Sequence, residues 1–160
     1  MIATPLVRLA RSPDAVTIAE MSRDYIEYGL GWSWTPTRVL AAIRDRSTNT
    51  AVLGVGDVID GFGIMQYGDE TAHLALLAVR PMQQHRGLGS HLLAWLEEPA
   101  RVAGIVRVRL EARADNPAAI GFYRRLGYLE IDRVRGYYRG SLDAVRLEKA
   151  LTSDLGSLAR

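Results

Sequence analysis

The segment Leu74–Leu93, with the sequence LALLAVRPMQQHRGLGSHLL, is the feature that most constrains the fold of this chain. An apolar run ends in a turn, and a loop that contains Gly87 and Gly89 then opens directly into a helical pattern. Glycine lets main-chain N–H groups approach an anion, and the positive end of a helix dipole adds to their attraction. The segment therefore predicts a buried strand, a phosphate-binding loop and a helix.

The loop differs from two common phosphate-binding motifs. No Lys follows its second glycine, as the P-loop of nucleotide-binding proteins requires. The third glycine of the dinucleotide-binding fingerprint is missing as well. The predicted ligand therefore carries phosphate but is not bound in either of these two ways.

Composition narrows the class of protein. The chain has 160 residues, of which 48% are hydrophobic and 24% charged, which is typical of one globular domain with its own core. Without cysteine, disulfides, thiolate metal ligands and a cysteine nucleophile are excluded. The net charge of +2 is too small to indicate nucleic acid, and no apolar run is long enough for a membrane span. We expect a cytoplasmic domain over 1–151, without nucleic-acid or membrane partners, and a loosely ordered tail over 152–160.

Capping residues, glycines and hydrophobic spacing predict four helices and seven strands. Ser12-Pro13-Asp14, Thr35-Pro36 and Asn116-Pro117 are predicted to begin three of the helices, and the remaining one starts at Leu88. Strands are expected at 6–9, 50–55, 61–67, 72–79, 106–111, 128–135 and 142–151. This order predicts a mixed sheet with helices on both sides.

Two sequence blocks resemble a known family. The block LLAVRPMQQHRGLG places Gln84, Gly87 and Gly89 in the pattern Gln/Arg-x-x-Gly-x-Gly/Ala. The block LEARADNPAAIGFYRRLGY has a strand, an Asn, a short Ala-rich helix, a Tyr and then Leu-Gly-aromatic. In these motifs, their order and their spacing, the chain resembles the GNAT N-acetyltransferases. The resemblance implies the GNAT α/β (α+β) fold, with a mixed central sheet of about seven strands and about four flanking helices, and implies acetyl-CoA as co-substrate without a metal.

Within this family the chain is most similar to the protein N-terminal acetyltransferases, especially the bacterial ribosomal-protein-alanine type. LEAR resembles the Leu-Glu-Val-Arg of that group's fifth strand, and RGYY at 135–138 resembles its Arg-Asn-Tyr-Tyr, with Gly136 in place of Asn. The resemblance implies direct transfer of an acetyl group to a primary amine, with a protein N-terminus as acceptor. A small-molecule amine acetyltransferase and a non-catalytic CoA-binding regulatory module are the alternatives, and either a monomer or a homodimer is expected.

The resemblance also assigns residues to the binding of acetyl-CoA. Main-chain amides of the glycine loop are expected to bind the diphosphate, aided by the helix N-terminus. Amides at the end of the fourth strand are expected to hold the thioester carbonyl and its oxyanion, if that strand separates from the next one. Asn116 is expected to cap its helix and to contact the pantetheine arm. These co-substrate-binding residues are Leu77, Ala78, Val79, Gln84, His85, Arg86, Gly87, Leu88, Gly89, Ser90 and Asn116.

Proton transfer and acceptor binding are assigned in the same way. Glu111 on the fifth strand matches the family's general base, and His73 on the fourth strand is the alternative base, since its ordinary pKa suits the task. An ion pair with a neighbouring arginine would explain Glu111 equally, and a surface position would explain His73. Tyr123 matches the family's general acid for the leaving thiolate, with core packing as the alternative explanation. Candidate walls of the acceptor groove are Trp34, Tyr137 and Tyr138.

Overall fold

The computed structural model describes residues 4–151, so the predicted tail over 152–160 lies outside the described residues. This part of the chain contains seven strands and four α-helices. The strands are β1 Leu6–Leu9, β2 Thr48–Gly54, β3 Gly61–Tyr67, β4 Thr71–Val79, β5 Arg107–Arg113, β6 Leu129–Tyr138 and β7 Leu142–Ala150. The helices are α1 Ala15–Tyr25, α2 Pro36–Arg44, α3 Leu88–Val102 and α4 Pro117–Arg125.

Hydrogen bonding arranges the strands in the order β1-β2-β3-β4-β5-β7-β6. β4 and β5 run parallel, whereas β1–β2, β2–β3, β5–β7 and β6–β7 are antiparallel pairs. The prediction of a mixed sheet of seven strands with four helices is confirmed. Because β7 lies between β5 and β6, the last hairpin is inserted antiparallel beside the strand that carries Glu111.

The chain divides into two compact units. The first unit comprises residues 4–66 together with Ala75–Glu98, and the second comprises Tyr67–Leu74 together with residues 99–151. Both β4 and α3 continue from one unit into the other. The prediction of one domain over 1–151 stays a prediction.

A cluster of buried apolar side chains forms the core of the first unit. Its fully buried members include Ile18 and Ala19 of α1, Val39 of α2, and Phe62 and Ile64 of β3. Their helical and alternating spacings explain why α1, α2 and β3 each turn one apolar face to the same cluster. This packing fixes the end of α1 and the start of α2, which flank the loop that carries Trp34.

The sheet strands of the second unit have one buried apolar face and one polar face. Val108 and Leu110 of β5 are buried, and so are Val145 and Leu147 of β7, whereas Glu111 lies on the opposite side of β5. α4 begins where predicted, because the Asn116 side chain accepts a hydrogen bond of 3.1 Å from the main-chain N–H of Ala119. The alternating pattern therefore leaves one face of these strands free for polar chemistry.

The start of the first helix differs from the prediction. Ser12–Asp14 form a short 3-10 turn, and α1 begins only at Ala15. The Asp14 carboxylate, and not Ser12, accepts the free N–H of Arg11 at 2.8 Å and also pairs with Arg8 at 2.8 Å. Ser12 is the first residue of this turn, and Arg11 with its extended backbone occupies the cap position, so the predicted Ser12 cap was wrong.

The predicted ends of two strands were also wrong. β5 extends beyond Glu111 to Arg113, and β6 extends beyond Arg135 to Tyr138. The β6–β7 register is irregular between Glu130 and Asp132 and again between Val134 and Tyr138. Gly136 lies in the second irregularity with a φ of +61°, a conformation that glycine adopts without strain. The extension places Tyr137 and Tyr138 within a strand.

Candidate active site

The loop after β4 belongs to the first unit and is anchored at its start. The Arg80 guanidinium donates to the carbonyl of Ile59 at 2.7 Å and to the Tyr25 hydroxyl at 3.4 Å. The Gln84 side chain reaches back to the Val79 carbonyl at 3.1 Å. These bonds fix the path of the main chain between the end of β4 and the start of α3.

The main-chain N–H groups of this loop are available to a ligand. In residues 4–151, those of His85 through Ser90 donate to no protein acceptor. His85 and Gly87 have φ values of +66° and +74°, the left-handed conformation that also occurs in anion-binding nests. The loop and the first turn of α3 carry Arg86 and His85 but no carboxylate. This arrangement attracts an anion such as a diphosphate.

The end of β4 lies beyond the β4–β5 ladder. The parallel register joins Thr71–Leu74 to Arg107–Leu110, and β4 then continues to Val79. The residues Leu77, Ala78 and Val79 are therefore outside that ladder, and their role in holding the thioester stays a prediction. β4 is hydrogen-bonded to β3 on its other edge, so only those of its amides that face away from β3 are candidates to bind a carbonyl oxygen.

His73 and Glu111 form a hydrogen-bonded pair in the second unit. His73 lies opposite Arg109 in the parallel register, so Glu111 two residues further on β5 is on the same side of the strand as Arg109. The His73 Nε2 atom is 2.9 Å from Glu111 Oε1 and 3.3 Å from Oε2. The Tyr137 hydroxyl donates to the same Oε1 at 3.1 Å. The structure thus brings together both candidate bases and one candidate acceptor-binding residue.

Opposing effects set the protonation of Glu111. Burial alone would raise the pKa of its carboxyl. The hydrogen bond and charge of His73, the Tyr137 hydroxyl and the charge of Arg146 outweigh burial and hold this pKa below its ordinary value. Arg146 lies directly opposite Glu111 on β7 and pairs with Asp132 at 3.3 Å. Glu111 is therefore ionised at neutral pH.

Tyr123 is 9% exposed and lies in an aromatic cluster of the second unit. Its ring makes edge contacts with Phe122 and Tyr128, with centroid distances of 5.1 and 5.7 Å. Burial is the main cause that raises the pKa of Tyr123 above its ordinary value of 10.0, and the nearby Tyr138 raises it further. The Tyr123 hydroxyl has no hydrogen-bond partner among residues 4–151. It is therefore protonated at neutral pH and free to donate to a ligand atom.

Trp34 lies in the first unit, where it is 9% exposed and packs in the core cluster. The guanidinium of Arg38 stacks over its ring at 3.8 Å. This burial does not test whether the ring edge lines an acceptor groove, and that role stays a prediction. The ring centroids of Tyr137 and Tyr138 are 4.9 Å apart. Burial is the main cause that raises the pKa of Tyr138, and the neighbouring Tyr137 raises it further.

Glu27 is a buried acidic residue of the first unit that the sequence did not single out. This 9% exposed carboxylate accepts the Ser22 hydroxyl at 2.9 Å, the Ser33 main-chain N–H at 2.8 Å and the Ser33 hydroxyl. It also accepts the main-chain N–H of Trp34 at 3.2 Å. An acidic residue with serines five and six positions away is a weak signal, because the partners meet only after the loop folds. Glu27 holds the loop between α1 and α2 in place.

Two further properties concern possible ligands and membranes. Within the described residues 4–151, no group of three or more His, Asp and Glu side chains is placed to hold a metal ion. In the same residues, no helix combines the length and apolar character needed to cross a membrane. The expected monomer or homodimer and the expected cytoplasmic location stay predictions.

The fold and the glycine loop together define the class of protein. A mixed seven-stranded sheet, a β4 that extends beyond its parallel neighbour, and an amide-rich loop at the start of α3 are combined in one chain. Residues 17–128 match the model of the acetyltransferase (GNAT) family. The chain belongs to this family.

Relatives and solved structures agree with the family match. The [ribosomal protein bS18]-alanine N-acetyltransferase of Salmonella typhimurium is 40% identical over 96 residues, which are 58% of this chain and 65% of that protein. The chain thus matches slightly less than two thirds of this relative's length. Ard1 from Thermoplasma volcanium superposes with a TM-score of 0.81 at 25% identity, covering 93% of this chain and 99% of that one. The ribosomal-protein-S18-alanine N-acetyltransferase from Escherichia coli superposes with a TM-score of 0.78 at 26% identity. The superposition covers 92% of this chain and 94% of that one.

Proposed function

We propose that this protein transfers the acetyl group of acetyl-CoA to the α-amino group of a protein or peptide. The observation that carries the proposal is the His73–Glu111 pair, 2.9 Å apart, with the Tyr137 hydroxyl on the same carboxylate oxygen. An imidazole–carboxylate pair can accept a proton from an attacking amine near neutral pH. The names of the Salmonella typhimurium and Escherichia coli relatives support a protein N-terminal acceptor.

Each step of the reaction has a candidate group in this chain. The neutral amine attacks the thioester carbon, a C–N bond forms and the C–S bond breaks. The His73–Glu111 pair removes the amine proton, and the Tyr123 hydroxyl donates a proton to the leaving thiolate. The amides of Leu77–Val79 stabilise the oxyanion. The products are an N-acetylated amine and CoA with a free thiol. Solvent then takes the proton from the His73–Glu111 pair and returns one to Tyr123, so atoms and charge balance without a metal.

The glycine loop fits the diphosphate of CoA. Its six unpaired amides, from His85 to Ser90 in the described chain, would donate to phosphate oxygens. Arg86 is exposed and adds positive charge beside them. Asn116 already caps α4, and we propose that its remaining hydrogen-bonding capacity serves the pantetheine arm.

The acceptor class is tested by comparing peptides with small amines. The full chain is incubated with acetyl-CoA and a peptide that begins with Ala, and CoA release is followed while mass spectrometry locates the acetyl group. We expect acetylation of the peptide α-amine and no reaction of the same peptide with a blocked N-terminus. Polyamines, free amino acids and aminoglycosides are assayed separately as alternative acetyl acceptors. Turnover of these small amines alone would contradict the peptide acceptor while retaining acetyl transfer.

Changing Gly87 to Ala is expected to weaken acetyl-CoA binding about tenfold. Gly87 has a φ of +74°, and a left-handed conformation costs a residue with Cβ roughly 1–2 kcal/mol. Isothermal calorimetry with acetyl-CoA gives the Kd of each variant. Gly104→Ala is the matched control, since Gly104 also has a positive φ, +81°, with open space around it, but lies outside the loop. Equal Kd values for Gly87→Ala and the wild type would contradict the role of the loop.

A further inference from the structure

The two members of the His73–Glu111 pair differ in exposure. The His73 side chain is 38% exposed, whereas the Glu111 side chain is only 10% exposed. An acceptor amine that approaches from solvent therefore reaches the imidazole more readily than the carboxylate.

The Glu111 carboxylate is already engaged by the protein. It accepts His73 Nε2 at 2.9 Å and the Tyr137 hydroxyl at 3.1 Å, and Arg146 lies opposite it in the β5–β7 register. These donors and the cation stabilise the ionised carboxylate, which makes it a weaker proton acceptor. Arg109, the register neighbour of His73, is paired with Glu148 at 2.6 Å, so its charge is compensated.

The two ring nitrogens of His73 have different surroundings. Nε2 faces the ionised Glu111, which favours a proton on Nε2 that is donated to the carboxylate. Among residues 4–151, no group forms a hydrogen bond with the other nitrogen, Nδ1. In this tautomer Nδ1 carries a lone pair on the exposed imidazole.

We propose that His73 Nδ1 accepts the proton of the attacking amine and that Glu111 is a positioning residue that fixes the tautomer and orientation of His73. This inference rests on the proposed acetyl transfer and divides its proton-transfer step between the two residues. The amine N–H bond breaks as the Nδ1–H bond forms, and the resulting imidazolium is stabilised by the adjacent carboxylate. The proton then passes to solvent. The Tyr137 hydroxyl holds Glu111 from β6 and so connects the last hairpin to the base.

The pH dependence of kcat/KM for an Ala-initiated peptide tests this assignment. Below the ionisations of both the peptide amine and His73, log kcat/KM of the wild type is expected to rise with a slope of two. His73→Gln is expected to lower kcat/KM by about 100-fold and to reduce the slope to one, because only the amine ionisation remains. Glu111→Gln keeps an acceptor for Nε2, so we expect a loss of about tenfold with the slope of two retained.

Controls separate this assignment from the proposed function itself. Glu20→Gln changes an exposed side chain of α1 and is expected to leave kcat/KM within twofold. Thermal unfolding and the acetyl-CoA Kd establish that each variant folds and binds. If His73→Gln retains activity within threefold of the wild type, His73 is not the base, while acetyl transfer stands. If the wild type acetylates no amine, the proposed function fails and this assignment fails with it.

Nitrogen NMR gives a second test that does not depend on turnover. In the wild type at pH 8, we expect His73 to be protonated at Nε2 and unprotonated at Nδ1, with the signals assigned by their loss in His73→Gln. In Glu111→Ala the preference is expected to weaken, because the acceptor is removed. A wild-type His73 that carries its proton on Nδ1 would overturn the assignment.

Discussion

Replacing Tyr123 with Phe is expected to lower kcat by about 100-fold and to leave the Kd for acetyl-CoA within about twofold of the wild-type value. The substitution removes only the hydroxyl and keeps the ring contacts with Phe122 and Tyr128. Because burial and Tyr138 raise the pKa of Tyr123, the hydroxyl is protonated throughout the neutral range. The loss should therefore be nearly constant between about pH 6 and 9, because the raised pKa of Tyr123 lies above this whole range. Steady-state kinetics and calorimetry measure the two quantities.

The same variant distinguishes an enzyme from a CoA-binding module. Tyr67→Phe removes the hydroxyl of another tyrosine in the second unit and is expected to retain full activity. An unchanged kcat in Tyr123→Phe would mean that the residue only packs the core and that solvent protonates the thiolate. If the wild type and both variants bind acetyl-CoA without acetylating any amine, a non-catalytic module is favoured.

Local sequence signals were sufficient for the loop and for two helix starts. Gly87, Gly89 and the following helical pattern predicted the amide-rich loop, and the start of α3 at Leu88 is confirmed. Asn116 and Thr35 cap their helices with hydrogen bonds of 3.1 and 3.4 Å. Each of these interactions joins residues three positions apart, so both partners lie within one short stretch of sequence and can be recognised there. Ser12 is not the cap because the turn begins one residue earlier than predicted, with Arg11 in the cap position and Asp14 accepting its main-chain N–H.

The hydrogen bond between His73 and Glu111 could be recognised only from the folded structure. The two residues are 38 positions apart, and only the parallel β4–β5 register brings Nε2 to the carboxylate. Tyr137 reaches the same oxygen because the β6–β7 register shifts between Val134 and Tyr138. Registers depend on long-range pairing and on irregularities that one sequence does not reveal. The sequence alone therefore indicates both candidate bases but not the hydrogen bond between them.

Glu27 shows the same limit in the first unit. Its partners are on α1 and in the loop before α2, and none of these residues belongs to a recognisable sequence motif. The residue is recognisable only as a buried carboxylate once the loop is folded. It nevertheless connects the loop carrying Trp34 to the helix before it, as does Trp32, whose Nε1 donates to the Ala19 carbonyl at 3.1 Å.

Glu27→Ala is expected to lower the free energy of unfolding by about 3 kcal/mol. The change leaves the Ser22 hydroxyl and the main-chain N–H groups of Ser33 and Trp34 without their acceptor in a mostly buried site. Glu27→Gln retains the size and one acceptor oxygen, so a smaller loss of about 1–2 kcal/mol is expected. Urea unfolding at neutral pH measures both variants.

Loss of the Glu27 contacts should also affect the acceptor side of the reaction more than the co-substrate side. Glu27 accepts the main-chain N–H of Trp34, which we predict to line the acceptor groove. We therefore expect the peptide KM to rise in Glu27→Gln while the acetyl-CoA Kd stays within about twofold. Glu20→Ala on the exposed face of α1 is the matched control, with a stability change within about 0.5 kcal/mol. If Glu27→Ala and Glu20→Ala unfold at the same urea concentration, the carboxylate does not organise this loop. If the acetyl-CoA Kd and the peptide KM change equally, Glu27 stabilises the fold in general and has no specific effect on the acceptor.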